Sequence, residues 1–135
     1  MELVTGGAGF IGSHLVDSLV SKGLKVRVLD NFSSGRKEFL EHHSETNNVE
    51  IIIADLLDLD AVKSAMNGIE TVHHLAANPD IRLGTEITDT DLQQGTIATY
   101  NVLEAMRHNG VKRISFASSS AIYGEASVMP TPETY

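Results

Sequence analysis

The 135 residues contain no cysteine, which excludes disulfides, thiolate nucleophiles and Cys-ligated zinc. Long apolar runs are also missing: no segment approaches the roughly twenty consecutive apolar residues that a membrane span needs. Positive charge is scarce, with 10 Lys and Arg against 18 Asp and Glu and a formal net charge of −8. That balance argues against nucleic acid or an anionic membrane surface as a partner. No repeat, low-complexity tract, interdomain linker or signal-peptide pattern is visible, so the expectation is a cytoplasmic protein. With 41% hydrophobic residues at this length, the chain can bury one core and hardly two, and residues 1–135 read as one domain.

What is present is concentrated at the front. A short apolar strand, Leu3-Val4, runs into glycines at 6, 7, 9 and 12, after which Ile11, Leu15 and Leu19 recur at helical spacing. Strand, tight turn and helix in that order bring backbone N–H groups and the positive end of a helix dipole to one point, where glycine lets a pyrophosphate approach. The pattern is weak alone and has to be judged by its context. Val26, Val28 and Leu29 form a second strand ending on Asp30, eighteen residues beyond Gly12. A carboxylate there accepts the ribose hydroxyls of an adenosine and repels a 2′-phosphate, which favours NAD over NADP. Arg36 and Lys37 are the nearby cations that could reverse this preference.

The rest of the chain alternates nearly continuous apolar runs with helical patterns. Strands are expected at Leu3 to Thr5, Lys25 to Asp30, Val49 to Asp55, Thr71 to Ala76 and Arg113 to Ser118, each covered on both faces. Helices lie between them, one with Leu59, Val62 and Met66 on a face, another with Ala98, Val102, Ala105 and Met106 and a stop at Asn109-Gly110. The expected fold is α/β, a doubly wound parallel sheet of the Rossmann type in the order 3-2-1-4-5. Polar or small residues at all five strand ends outline one groove along the carboxyl edge.

With these segments in order, the chain resembles the extended short-chain dehydrogenase/reductase family, the NAD-dependent nucleotide-sugar epimerases and dehydratases, and within it the UDP-glucose 4-epimerases most. The resemblance rests on TGGAGFIGSHL at 5–15, DNFSSG at 30–35, ADL at 54–56, HLAA at 74–77, TYNVLEAM at 99–106 and FASSSAIYG at 116–124. It implies an NAD cofactor and a UDP-sugar substrate. Gly6, Gly9, Phe10, Ile11 and Gly12 would meet the pyrophosphate. Asp30, Asn31, Ser33, Ser34 and Gly35 would surround the adenosine ribose and phosphate, Asp55 and Leu56 the adenine, and Leu75, Ala76 and Ala77 the middle of the cofactor. Ser119 would be the catalytic hydroxyl, bonded to the sugar hydroxyl that is oxidised. The resemblance also implies a homodimer, a Tyr-x-x-x-Lys motif some two dozen residues past Ser119, further strands and a C-terminal substrate domain. None of these lies within residues 1–135, so the domain is expected to be truncated after its fifth strand.

Ser120 and Ala121 occupy positions where the family's dehydratases carry Asp-Glu and its decarboxylases keep an acid, so their identity favours epimerisation. Gly95 stands where the family has an Asn that meets the cofactor. Another nucleotide-sugar oxidoreductase and a non-catalytic NAD(P)-binding module remain alternatives. In the unassigned stretch from Asn78 to Asp91, Asn78, Pro79 and Arg82 are candidate substrate contacts. No metal is expected at His42-His43 or His73-His74: neighbours on a strand point to opposite faces, and no carboxylate sits beside either pair at ligand spacing.

Overall fold

In the computed structural model, which describes residues 1–80, 82–119, 122 and 124–135, five runs form parallel strands: β1 (Glu2–Thr5), β2 (Val26–Asp30), β3 (Val49–Ile53), β4 (Thr71–His74) and β5 (Arg113–Phe116). Their order across the sheet is β3-β2-β1-β4-β5, as expected. The helices are α1 (Phe10–Ser21), α2 (Leu59–Ala65), the single turn α3 (Leu83–Glu86) and α4 (Ala98–Asn109). Two 3₁₀ turns, Lys37–Phe39 and Glu41–His43, connect β2 to β3, and a π-helical turn, Leu92–Ile97, runs directly into α4.

The period of two along each strand divides the core into two layers. Leu3, Leu29 and Val72 pack with Val62 and Met66 of the α2 region and with Val102 and Ala105 of α4. Val4, Val26 and Val28 pack with Val16 and Leu19 of α1 and with Leu40. Local chemistry ends the helices where it should. The Asp58 carboxylate accepts from the amides of Asp60 and Ala61 at the start of α2, and Gly110 closes α4 at φ 72°, a left-handed conformation that glycine adopts without a steric penalty.

Two strands depart from the expectation of cover on both faces. All four residues of β5 are exposed, as are Ile51 and Ile53 of β3. Both are edge strands, and the helical layers centre on β1. Neither apolar cluster contains a β5 residue, and β3 contributes only the partly buried Ile52 and Val49, one to each. No described helix is long and apolar enough to cross a membrane.

Candidate dinucleotide groove

The turn after β1 is shaped by what cannot be added to it. Gly6 has φ +70°, and a Cβ there would lie 2.8 Å from both N and Cα of Ala76. A Cβ on Gly12 would strike the Gly6 carbonyl oxygen and stand 2.8 Å from Gly7 Cα. Both glycines are therefore obligatory, the first pressing β1 against the end of β4, the second seating α1 on its turn. The helix begins behind Gly9 with neither a side-chain cap nor an acidic residue in its first turn, so the positive end of its dipole is left for a ligand's charge.

Around the tip of β2 the polar groups are held by one another. Asp30 is buried. Its Oδ2 accepts from the Ala8 amide at 2.9 Å and its Oδ1 from the Phe32 amide at 2.8 Å. Asn31 Nδ2 donates to Asp55 Oδ2 at 2.9 Å, and Asp55 Oδ1 accepts from the Leu57 amide. Buried Asn101 reaches over from α4 and donates to the Leu56 carbonyl at 2.8 Å. Arg36 and Lys37 lie over the rings of Phe39 and Phe32 at 5.9 and 5.8 Å. They line an adjoining hollow with Phe32 and Glu38, which shares Gly35 with the groove beside Asp30.

The end of β4 is set by a chain of hydroxyls and imidazole. Thr5 Oγ1 lies 2.6 Å from His74 Nδ1, and His74 Nε2 lies 3.1 Å from Thr99 Oγ1 on α4. The Ala76 amide donates to the same Thr5 oxygen at 3.4 Å. Donors and acceptors match when Thr5 donates to Nδ1 and a neutral His74 donates from Nε2 to Thr99. Burial pushes the His74 pKa down, in keeping with that neutral form.

The result is a groove of about 370 Å³ along the carboxyl edge of the sheet. The structure brings all fifteen residues expected to contact the cofactor to it: Gly6, Gly9, Phe10, Ile11, Gly12, Asp30, Asn31, Ser33, Ser34, Gly35, Asp55, Leu56, Leu75, Ala76 and Ala77. Pro79 joins them, with Leu29, Ala54, Gln94 and Ala117, which sequence reasoning did not single out. Ala54 and Ala117 sit inside quoted motifs and could have been found there. Gln94 could not, because it enters the groove from the π-helical turn. Gly95, beside it, is exposed, and a Cβ there would meet nothing within 4 Å.

Other expected positions stay apart. Ser119 is exposed, two residues past Ala117, the last of the described residues to line the groove. Asn78 bonds within its own loop, to the Asp80 carbonyl, and Arg82 is an exposed partner of Asp80. Ser120, Ala121 and Tyr123 lie outside the described residues.

A glycine-cornered turn and an acidic tip on the second strand, set in a parallel sheet at the point where its strand order reverses, define a doubly wound dinucleotide-binding domain. The NAD dependent epimerase/dehydratase family model matches residues 2–135, and the chain belongs to that family. A UDP-glucose 4-epimerase of Bacillus subtilis is 38% identical over 137 residues, covering 98% of this chain and 40% of that protein. A UDP-N-acetyl-alpha-D-glucosaminuronate decarboxylase of Bacillus cytotoxicus is 37% identical over 91% of this chain and 37% of its own length. Among solved structures, the UDP-glucose 4-epimerase of Thermus thermophilus in complex with NAD is 38% identical, with a TM-score of 0.83 over 98% of this chain and 42% of that one. The chain thus spans about two fifths of the length of these relatives.

Proposed function

We propose that the chain is the cofactor-binding part of an NAD-dependent UDP-sugar 4-epimerase of the UDP-glucose/UDP-galactose type. The observation that carries this reading is the groove itself. Gly6 and Gly12 let the turn after β1, the end of β4 and the start of α1 close on one another where any Cβ would strike backbone, the α1 dipole end is uncapped, and the Asp30 carboxylate, fixed by two amides, would accept the two ribose hydroxyls of NAD and repel a 2′-phosphate. Bound NAD would supply the oxidation and return of hydrogen at the sugar's C4. This chain's residues would bind and orient it, with Ser119 holding the sugar hydroxyl from beyond β5. Ser120 and Ala121 supply no additional acid or base, which supports epimerisation over dehydration. UDP-sugar binding and homodimer formation are properties of the same proposal.

The decarboxylase relatives favour one second reading, removal of a carboxylate from a UDP-sugar acid. One assay separates the two. The complete gene product is given UDP-galactose without added NAD, and separately UDP-glucuronate. UDP-glucose formed on retained cofactor, with no carbon dioxide from UDP-glucuronate, is the expected result. Carbon dioxide release, or no conversion of UDP-galactose, would overturn the epimerase reading.

A further inference from the structure

Asp17, His42 and His43 converge beside α1, away from the groove. Asp17 stands on the helix, while the two histidines occupy the 3₁₀ turn Glu41–His43. His42 Nε2 lies 2.8 Å and His43 Nε2 2.7 Å from the same oxygen, Asp17 Oδ1. The two rings face each other with centroids 4.0 Å apart, and one ligand atom from each of the three residues falls within 4.8 Å of the others. The side chain of His43 is 8% exposed, those of Asp17 and His42 46% and 56%.

Extended backbone would have thrown the two rings to opposite faces. A 3₁₀ turn advances by only about a third of a turn per residue, so neighbouring rings can reach one side. The carboxylate comes from a residue 25 positions earlier, which spacing along the chain does not reveal.

We propose that Asp17, His42 and His43 form a binding site for a divalent transition-metal ion of the zinc class, which staples the segment after β2 to α1. Two imidazole nitrogens and one carboxylate oxygen are the donor set such ions take, whereas calcium and magnesium require oxygens. Without metal, one carboxylate oxygen accepts from both rings when each Nε2 carries its proton. A single ion replaces both protons and needs the three atoms about 3.3 Å apart, the edge of a tetrahedron with bonds of about 2.0–2.1 Å. Each nitrogen then draws about 0.5 Å away from the carboxylate oxygen and the two nitrogens close by up to about 1.5 Å, a rearrangement that exposed His42 and half-exposed Asp17 can make around the buried His43. The fourth position opens to solvent past His42. The stapled segment carries Asn31, Ser33, Ser34 and Gly35, so the ion would steady one wall of the groove while standing outside it. The site is independent of which cofactor or sugar the protein uses.

The test is titration of the metal-free chain with cobalt(II) and zinc(II) at a fixed pH of about 7.5, since metal affinity depends on pH. We expect one cobalt ion per chain, with visible d–d absorption that zinc abolishes, and a melting temperature that rises with zinc concentration. His42→Ala, at an exposed side chain, and Asp17→Asn should each weaken binding more than about ten-fold, since loss even of an outer-shell partner costs that much. His14→Ala and His108→Ala should not change it. Failure to saturate by about 1 mM metal, or affinity unaltered in His42→Ala and Asp17→Asn, would overturn the proposal. Equal loss in the two control variants would do the same.

Discussion

Both oxygens of Asp30 accept backbone amides, so the carboxylate is immobilised at the tip of β2 before any ligand arrives. Asp30→Ala leaves the amides of Ala8 and Phe32 without their partner and should cost about 1–3 kcal/mol of stability, read by urea denaturation. The same variant should bind NAD about ten-fold or more weakly by calorimetry, because hydrogen bonds to a charged group contribute about 1.5–3 kcal/mol. His74 makes a prediction with a definite sign. Burial lowers its pKa from 6.5, so in acid the unfolded chain binds a proton that the folded one resists. Its contribution to stability is intact above pH 6.5 and is lost as pH falls through and below that value. Thermal denaturation between pH 7.5 and 5 should show this slope, and His74→Gln should flatten it.

At the scale of elements, the π-helical turn Leu92–Ile97 is where the structure departs from simple periodicity. The turn lies just ahead of α4, and the Ala98 amide reaches back five residues to Gln93. The extra residue brings Gln94 into the groove and leaves Gly95 outside it. Gln94→Ala should therefore weaken NAD binding about two- to ten-fold, the value of one neutral hydrogen bond, while Gly95→Asn should leave it unchanged. Fluorescence titration of the two variants checks both. The elements that were legible in the sequence are those whose cause is local: the glycine turn, the continuous apolar strands, the Gly110 stop. What stayed hidden depends on residues far apart in the chain. The reach of Asn101 to Leu56 crosses 45 positions, and the pairing of Asp17 with His42 and His43 about 25. The exposed edge at β3 escaped too, because its apolar run looks the same whether or not a helix lies over it.

For the whole molecule, the exposed edges have a consequence in solution. Ile51 and Ile53 on one edge and Ile114 and Phe116 on the other leave large apolar side chains uncovered, and edge strands with apolar faces pair readily. The chain should self-associate with rising concentration in sedimentation velocity, and Ile114→Lys with Phe116→Lys should shift it toward monomer.

The folded groove should select NAD through the close turn that Gly6 and Gly12 allow and the charge of Asp30. Calorimetric titration of the chain with NAD and with NADP tests it most directly. One NAD should bind per chain, with NADP at least about ten-fold weaker and loss of both in Gly12→Ala. Equal or tighter binding of NADP, or undiminished NAD binding by a folded Gly12→Ala variant, would contradict it.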